Sequence, residues 1–280
     1  MTAVIRIFTK LANEVPVETT VNDSWQTGDP YEYYMGRWSK RVAELFVDWL
    51  SQPSGLRWLD VGCGSGALSE VVLAKNNPVE VIAIDPSEGF VRTAQQRLGN
   101  RARCQTGDAL SLPLDDASVH ASVSGLVLNF LSDPGKALGE MRRVTQKGGA
   151  VAVYVWDYTG RMELLKYFWD MAVELNPKAA RLHESRRFPE ANAEDLIAAF
   201  KRSGFSQVET TAVDVMTNFS SFGDYWKPFL GGQGPAPTYV MTLDRVERNK
   251  LEEALARRLP INTDGSISLA ARAWAARGFA

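Results

Sequence analysis

The chain has 280 residues, enough to bury a core without disulfide support, which excludes a mini-protein. Lys plus Arg total 31 against 33 Asp plus Glu, a formal net charge of −2, so there is no basic surplus for a nucleic acid backbone or an anionic membrane surface. With 45% hydrophobic and 23% charged residues, disorder and low-complexity fibres are excluded as well, which leaves an excess of eight Trp, eight Tyr and twelve Phe to be located.

The N-terminal MTAVIRIFTKLANEV lacks the long apolar run of a secretory signal, and no apolar stretch is long enough to span a bilayer. Two cysteines, Cys63 and Cys104, lie far apart, which fits a reducing cytoplasm and builds no disulfide framework. His120 and His183 are the only histidines, and without an HxxxH-type cluster no metal site is expected. Up to about Pro53 the chain carries Trp25, Tyr31, Tyr33, Tyr34 and Trp38, then a helical run through Val42, Leu45, Phe46 and Trp49. From Gly55 to about Val213 short apolar runs alternate with amphipathic stretches, the pattern of βαβ units around a parallel sheet.

Strands are expected at Leu56 to Val61, Val79 to Ile84, Ala102 to Thr106, Val119 to Ser124, Ala150 to Trp156 and Ser206 to Val213. Between them Phe90, Val91, Ala94 and Leu98 recur at helical spacing, as do Ala137, Leu138, Met141 and Val144, with Pro134 opening that helix and Gly148-Gly149 stopping it. Asn192 caps a helix that closes at Gly204. Thr159 to Pro189 reads as helical with a break. Phe219 to Asp264 opens as a Gly/Pro-punctuated aromatic loop and continues into a charged helix, Leu243 to Leu259, and Ser266 to Ala275 reads as a final strand. The expected organisation is a cap over 1–54, a doubly wound α/β core over 55–214 with 265–280, and a lid over 215–264.

The segment Leu59-Asp60-Val61-Gly62-Cys63-Gly64-Ser65-Gly66 joins a strand to a helix, and its glycines open the backbone to a ligand. Asp85 ends the next strand about twenty residues on, where a carboxylate can accept both hydroxyls of a ribose. Asp108 ends the third strand in Thr106-Gly107-Asp108-Ala109-Leu110 and can accept from an adenine amino group.

This ordered set resembles the class I S-adenosylmethionine-dependent methyltransferases, in particular the broad small-molecule (type 11-like) group, over roughly Leu56 to Val155. The resemblance implies a Rossmann-like, mostly parallel seven-stranded sheet with its last strand antiparallel, and S-adenosyl-L-methionine as cofactor. It further implies that the loop Gly62, Cys63, Gly64, Ser65 and Gly66, with Asp60, holds the methionine part. Asp85 would clamp the ribose with Pro86 and Ser87 packed beside it, Asp108 and Ala109 would meet adenine, and Leu126 would face the cofactor from the fourth-strand motif Ser124 to Leu131. Tyr34-Met35-Gly36-Arg37-Trp38-Ser39 looks like a family element that covers the cofactor. Arg37 there either pairs with the methionine carboxylate or lies solvated at a helix start. Asn129 stands where many relatives carry an aromatic residue or His, and His120 where Asp is common, so neither inherits a role.

The aromatic residues outside the sheet, together with Asn129 of the fourth-strand motif, give an expected acceptor pocket of Tyr34, Trp38, Asn129, Trp169, Tyr225 and Trp226, suited to a small apolar or aromatic metabolite. Methyl transfer needs chiefly alignment and dryness, and the one weak candidate for a general base is His183, otherwise a surface histidine. Arg186-Arg187 offers charge for a carboxylate-bearing substrate, although adjacent arginines usually point apart. Two other functions compete. A nicotinamide-dependent oxidoreductase is disfavoured by GCGSG in place of GxGxxG, and a non-catalytic cofactor-binding or interaction module would use the lid for a partner. The oligomeric state is left open.

Overall fold

The structure is a computed structural model and describes residues 35–232 and 234–280. Its strands are β1 (Arg57–Val61), β2 (Glu80–Asp85), β3 (Arg103–Thr106), β4 (Val119–Gly125), β5 (Thr145–Trp156), β6 (Ser206–Phe219) and β7 (Ile267–Phe279). Among the described residues these form one seven-stranded sheet in the order β3-β2-β1-β4-β5-β7-β6. β1, β2, β3, β4 and β5 pair in parallel, and β7 runs antiparallel to both β5 and β6. The central strands are apolar on both sides because helices cover both faces, and β5 is buried at every position from Ala150 to Trp156, whereas the edge strand β6 alternates buried and exposed residues from Val213 on.

Side-chain caps open several helices, the expected one at Asn192 among them. Ser87 accepts from the Phe90 N–H at the start of α3 (Glu88–Leu98), and Asp133 accepts from Lys136 at the start of α4 (Pro134–Val144), with Pro134 in its first turn. α1 (Arg37–Leu50) and α2 (Ala67–Lys75) precede these. α5 (Glu163–Leu175), α6 (Glu184–Arg187) and α7 (Ala193–Arg202) fill the connection from β5 to β6, and Asn192 caps α7 through the Asp195 N–H. Between β6 and β7 come α8 (Phe222–Trp226), α9 (Pro235–Thr242) and α10 (Arg245–Arg258), the last opened by a capping box of Asp244 and Glu247.

Three expectations change. Gly148-Gly149 does not end a helix: α4 passes at Val144 directly into β5, and a β-carbon on Gly149 would collide with the His120 carbonyl and Thr145, so close strand approach explains that glycine. β6 continues to Phe219 instead of stopping at Val213, because Ala212 to Phe219 all find partners on β7, from Trp274 to Ile267. The expected core-to-lid boundary at residue 214 therefore falls inside a strand. β7 likewise extends to Phe279. No helix among the described residues is long and apolar enough to cross a membrane.

The core has two halves. One, containing Leu59, Val61, Ile82 and Ile84, lies under α4 and α7. The other holds most of the large rings, with α1, α5 and the segment from Phe219 to Tyr239 packed over β7 and the end of β6. At its centre Phe168 stacks on Phe229, centroids 4.6 Å apart and planes 7° from parallel, and meets Trp169 edge-on at 5.1 Å. Since Phe168 is wholly buried, Phe168→Ala should cost about 3–5 kcal/mol of unfolding free energy, read as a lower urea midpoint, with Phe168→Leu costing less. A midpoint unchanged by the alanine variant would mean that α5 does not rest on this ring.

Candidate functional site

The C-terminal ends of β3, β2, β1 and β4 lie side by side, and the strand order reverses between β1 and β4, the place where open α/β sheets bind ligands. The loop after β1 is held there by its own backbone: the Gly62 and Cys63 N–H groups both donate to Ile84 O, at 2.7 and 3.0 Å. Gly62 has a φ of +72°, and a β-carbon on it would stand 2.6 Å from Val127 Cγ2, so only glycine lets the loops after β1 and β4 meet. At Gly64 the space that a β-carbon would take has no neighbour within 4 Å, leaving a cradle open along the backbone.

Asp85 ends β2 and is buried. Its Oδ2 accepts from the Gly64 N–H at 3.0 Å and its Oδ1 from the Ser87 N–H at 2.9 Å, which sets the plane of the carboxylate. Burial pushes its pKa up, against those two hydrogen bonds. Asp60, 1% exposed, accepts from Ser69 Oγ at 2.7 Å through Oδ2, while Oδ1 is buried without a partner. Desolvation, opposed mainly by the Ser69 hydrogen bond, raises its pKa to about 7. Cys63 is buried and its thiol is driven well above the ordinary value, again by burial, so it packs as an apolar group. Ser65 is buried and accepts from Arg97 at 3.1 Å.

At the end of β3 Asp108 is exposed, with Oδ1 accepting from the Leu110 N–H at 2.9 Å, and Ala109 is buried behind it. Pro86 is exposed beside Ser87. After β4, Leu126 takes a left-handed φ of 62°, which L-residues seldom adopt, and its N–H donates to Tyr154 O. Asn129 sits in the tight helical turn that follows, with both polar atoms of its amide buried and unpartnered. Sequence alone placed Asn129 near the acceptor without showing that its amide is free to bind.

Arg37, in the first turn of α1, gives Nη1 to Asp224 at 3.0 Å and lies over the Trp38 and Phe219 rings at 4.4 and 4.9 Å. Its Nε and Nη2 are buried without partners, so the side chain is neither a solvated helix-start charge nor fully paired. The expected acceptor pocket looks different in space. Trp38, Trp169, Tyr225 and Trp226 belong to one ring cluster, linked through Phe219, Phe229 and Phe168 at centroid distances from 4.6 to 6.0 Å. All four are at most 4% exposed and act as core side chains, Tyr225 also donating its hydroxyl to Leu164 O. Tyr34 lies outside the described residues.

An open cleft of about 330 Å³ does exist beyond the end of β5, and most of its lining was missed in the sequence. Lys166, Asp170 and Val173 form one wall from a single face of α5, Ala180, His183, Ser185 and Arg186 form the opposite wall, and Tyr158 and Thr159 close the end. The i, i+4, i+7 spacing on α5 was the available signal. His183 serves this wall as a cap: Nδ1 accepts from the Ser185 N–H at 3.1 Å, and Nε2 stands 3.9 Å from Asp170. Burial lowers its pKa, Asp170 opposing, and Lys166 and Arg186 adding to the fall. No group of three His, Cys, Asp or Glu among the described residues could hold a metal.

Fold and site thus define a cofactor-binding α/β domain with a glycine cradle at its switch point. Residues 59–153 match the methyltransferase domain family. Malonyl-[acyl-carrier protein] O-methyltransferase of Pseudescherichia vulneris is 29% identical over 175 residues, 62% of this chain and 66% of that one. Demethylmenaquinone methyltransferase of Renibacterium salmoninarum is 35% identical over 115 residues, 41% of this chain and 47% of that one. Phosphoethanolamine N-methyltransferase 2 of Haemonchus contortus, solved in complex with S-adenosyl-L-methionine, shares the fold at a TM-score of 0.54 and 16% identity, covering 89% of this chain and 56% of that one. Over residues 59–153 the chain is thus similar to the class I S-adenosylmethionine-dependent methyltransferases. It spans less than two thirds of the length of either curated relative.

The Asp60 shift carries a pH signature. The folded protein keeps a proton that the unfolded chain releases near its ordinary value of 3.8, so this stabilisation is full below about pH 4 and lost as pH rises to about 7. The unfolding free energy of wild type relative to Asp60→Asn should therefore fall by on the order of a few kcal/mol between pH 4 and 7.5, measured by urea denaturation. A difference that stays flat with pH would show Asp60 ionised throughout.

Proposed function

We propose that this chain binds S-adenosylmethionine across the C-terminal ends of β3, β2, β1 and β4 and transfers its methyl group to a small-molecule acceptor with an apolar or aromatic body, seated beside β4 and β5. The observation that carries this reading is the convergence of the open glycine cradle, the backbone-oriented Asp85 and the unpartnered Asn129 amide at one sheet edge.

Each Asp85 oxygen already accepts one N–H and keeps a further lone pair for a ribose hydroxyl. Asp108 is exposed at the end of β3 to accept from the adenine amino group, with Ala109 as an apolar floor. Gly62 to Gly66 and Asp60 take the methionine part, and the free Nε and Nη2 of Arg37 take its carboxylate. The bound cofactor supplies a methyl group made electrophilic by a sulfonium. Asn129 orients the acceptor through its amide, while Phe130 and Phe188, 5.0 Å apart, and Tyr158, 5.4 Å from Phe188, shield the space between β4 and the cleft from water. His183 offers no spare base: in the neutral ring Nδ1 is taken by the cap and the proton sits on Nε2, facing Asp170. The rate enhancement therefore rests on proximity and orientation.

Calorimetric titration with S-adenosylhomocysteine tests the reading. Wild type should bind one equivalent, and Asp85→Ala should weaken binding on the order of 100-fold, the loss of two hydrogen bonds to a charged acceptor. Equal affinity in the two proteins would overturn the assignment of the ribose clamp, and no binding by wild type would overturn the function. Transfer of a radiolabelled methyl group to any member of a metabolite panel separates an enzyme from a binding module.

A further inference from the structure

The cleft between α5 and α6 has a chemical character that the methyltransferase reading does not supply. Its polar lining offers Lys166, Arg186 and the His183 Nε2–H as donors against a single carboxylate, Asp170, while the Ser185 hydroxyl is engaged by His183 Nδ1 at 2.9 Å and the Thr159 hydroxyl by Asp157 at 3.3 Å. That carboxylate is already matched by Lys166 at 2.8 Å, one helical turn away. His183 is held as a neutral donor by its cap and by burial, so it adds no charge at neutral pH. What is left over is the charge of Arg186, which forms no ion pair among the described residues.

The two neighbouring arginines also part company. Arg187 lays its guanidinium over the Phe188 ring at 4.9 Å, outside the cleft lining, whereas Arg186 lines the cleft. The remaining lining is apolar, Val173 and Ala180 with the Tyr158 ring, so the cleft has a cationic, donor-rich side and a surface for a flat body. It is also joined to the proposed reaction centre by packing: Tyr158 contacts Phe188, and Phe188 contacts Phe130, the residue after Asn129.

Resting on the proposed methyl transfer, the geometry points to this cleft as the acceptor's anchoring subsite, one that takes a carboxylate borne on an aromatic or apolar body, with Arg186 as the residue that selects for the negative charge. Charge-assisted hydrogen bonds from a guanidinium to a carboxylate give both strength and direction. Lys166 is the secondary partner, since it must share its charge with Asp170.

Benzoate is the probe, with benzamide as its neutral isostere, each titrated into the full chain with and without S-adenosylhomocysteine and followed by chemical-shift changes. Benzoate should bind saturably and at least about tenfold more tightly than benzamide, and Arg186→Gln should remove that preference while Arg187→Gln keeps it. Retained S-adenosylhomocysteine binding by Arg186→Gln shows that the variant is folded. The inference is overturned by absence of saturable benzoate binding, by equal binding of benzoate and benzamide, or by a preference that survives Arg186→Gln. Arg37→Gln supplies the remaining arm: if it, and not Arg186→Gln, abolishes benzoate binding, the anion site is at α1 and this assignment fails. Loss of S-adenosylhomocysteine binding in wild type overturns the methyltransferase reading instead, a different outcome from any of these.

Discussion

The contact between Gly62 and Val127 holds the site together. A turn with φ of +72° brings the loop after β1 against the loop after β4 so closely that no β-carbon fits between them. These two strands flank the point where the sheet order reverses, so the contact sets how far apart the walls of the crevice stand. The same loop uses the penultimate carbonyl of β2, since Gly62 and Cys63 both donate to Ile84 O, and the Gly64 N–H fixes the Asp85 carboxylate. Three strands therefore position one turn, β2 through hydrogen bonds to its N–H groups and β4 through the Val127 side chain, and the polar atoms along it are oriented before any ligand arrives.

The parts of this arrangement that were legible in the sequence are local. A glycine turn, a carboxylate at a strand end and a helix cap each depend on residues a few positions apart, which is why Asp85, Asp108, Pro134 and Asn192 could be placed without a structure. What escaped depends on distant partners. The extension of β6 from Val213 to Phe219 requires β7 alongside it, and Gly149 is understood only once His120 lies against it. Sequence alone expects Arg186 and Arg187 to point apart without showing which of them enters the cleft, and that is decided only where Phe188 offers Arg187 a ring.

The aromatic excess changes meaning in the same way. Its position outside the alternating strands and helices suits either a pocket lining or a second core, and composition does not distinguish the two. Burial does: Trp38, Trp169, Tyr225 and Trp226 are buried against a ring chain through Phe219, Phe229 and Phe168 that fastens α1, α5 and α8 to the sheet. Such rings supply large buried area and favour edge or offset contacts, so they stabilise the covering segments more than they select a ligand. In the proposed function, selection then falls to the polar groups at the cleft and at the end of β4.

Among those polar groups, the unpartnered ones are the most informative, because a buried donor or acceptor without a partner costs about 1–3 kcal/mol and folded proteins rarely keep several. Some here are indole N–H groups of core tryptophans, for which the structure provides no acceptor. Three others are different in kind: one oxygen of Asp60, two nitrogens of Arg37 and the whole amide of Asn129. Asp60 lacks a cation and Arg37 has hydrogen-bonding capacity left for an anion, complementary demands that a single amino-acid-like moiety, with its ammonium and carboxylate, would meet together. Such a ligand would also reverse the burial penalty on Asp60, since a nearby ammonium favours the charged carboxylate that desolvation now opposes. Binding would then draw a proton off Asp60, and the energy spent on keeping these groups unsatisfied would reappear as affinity for a zwitterionic ligand at the glycine loop.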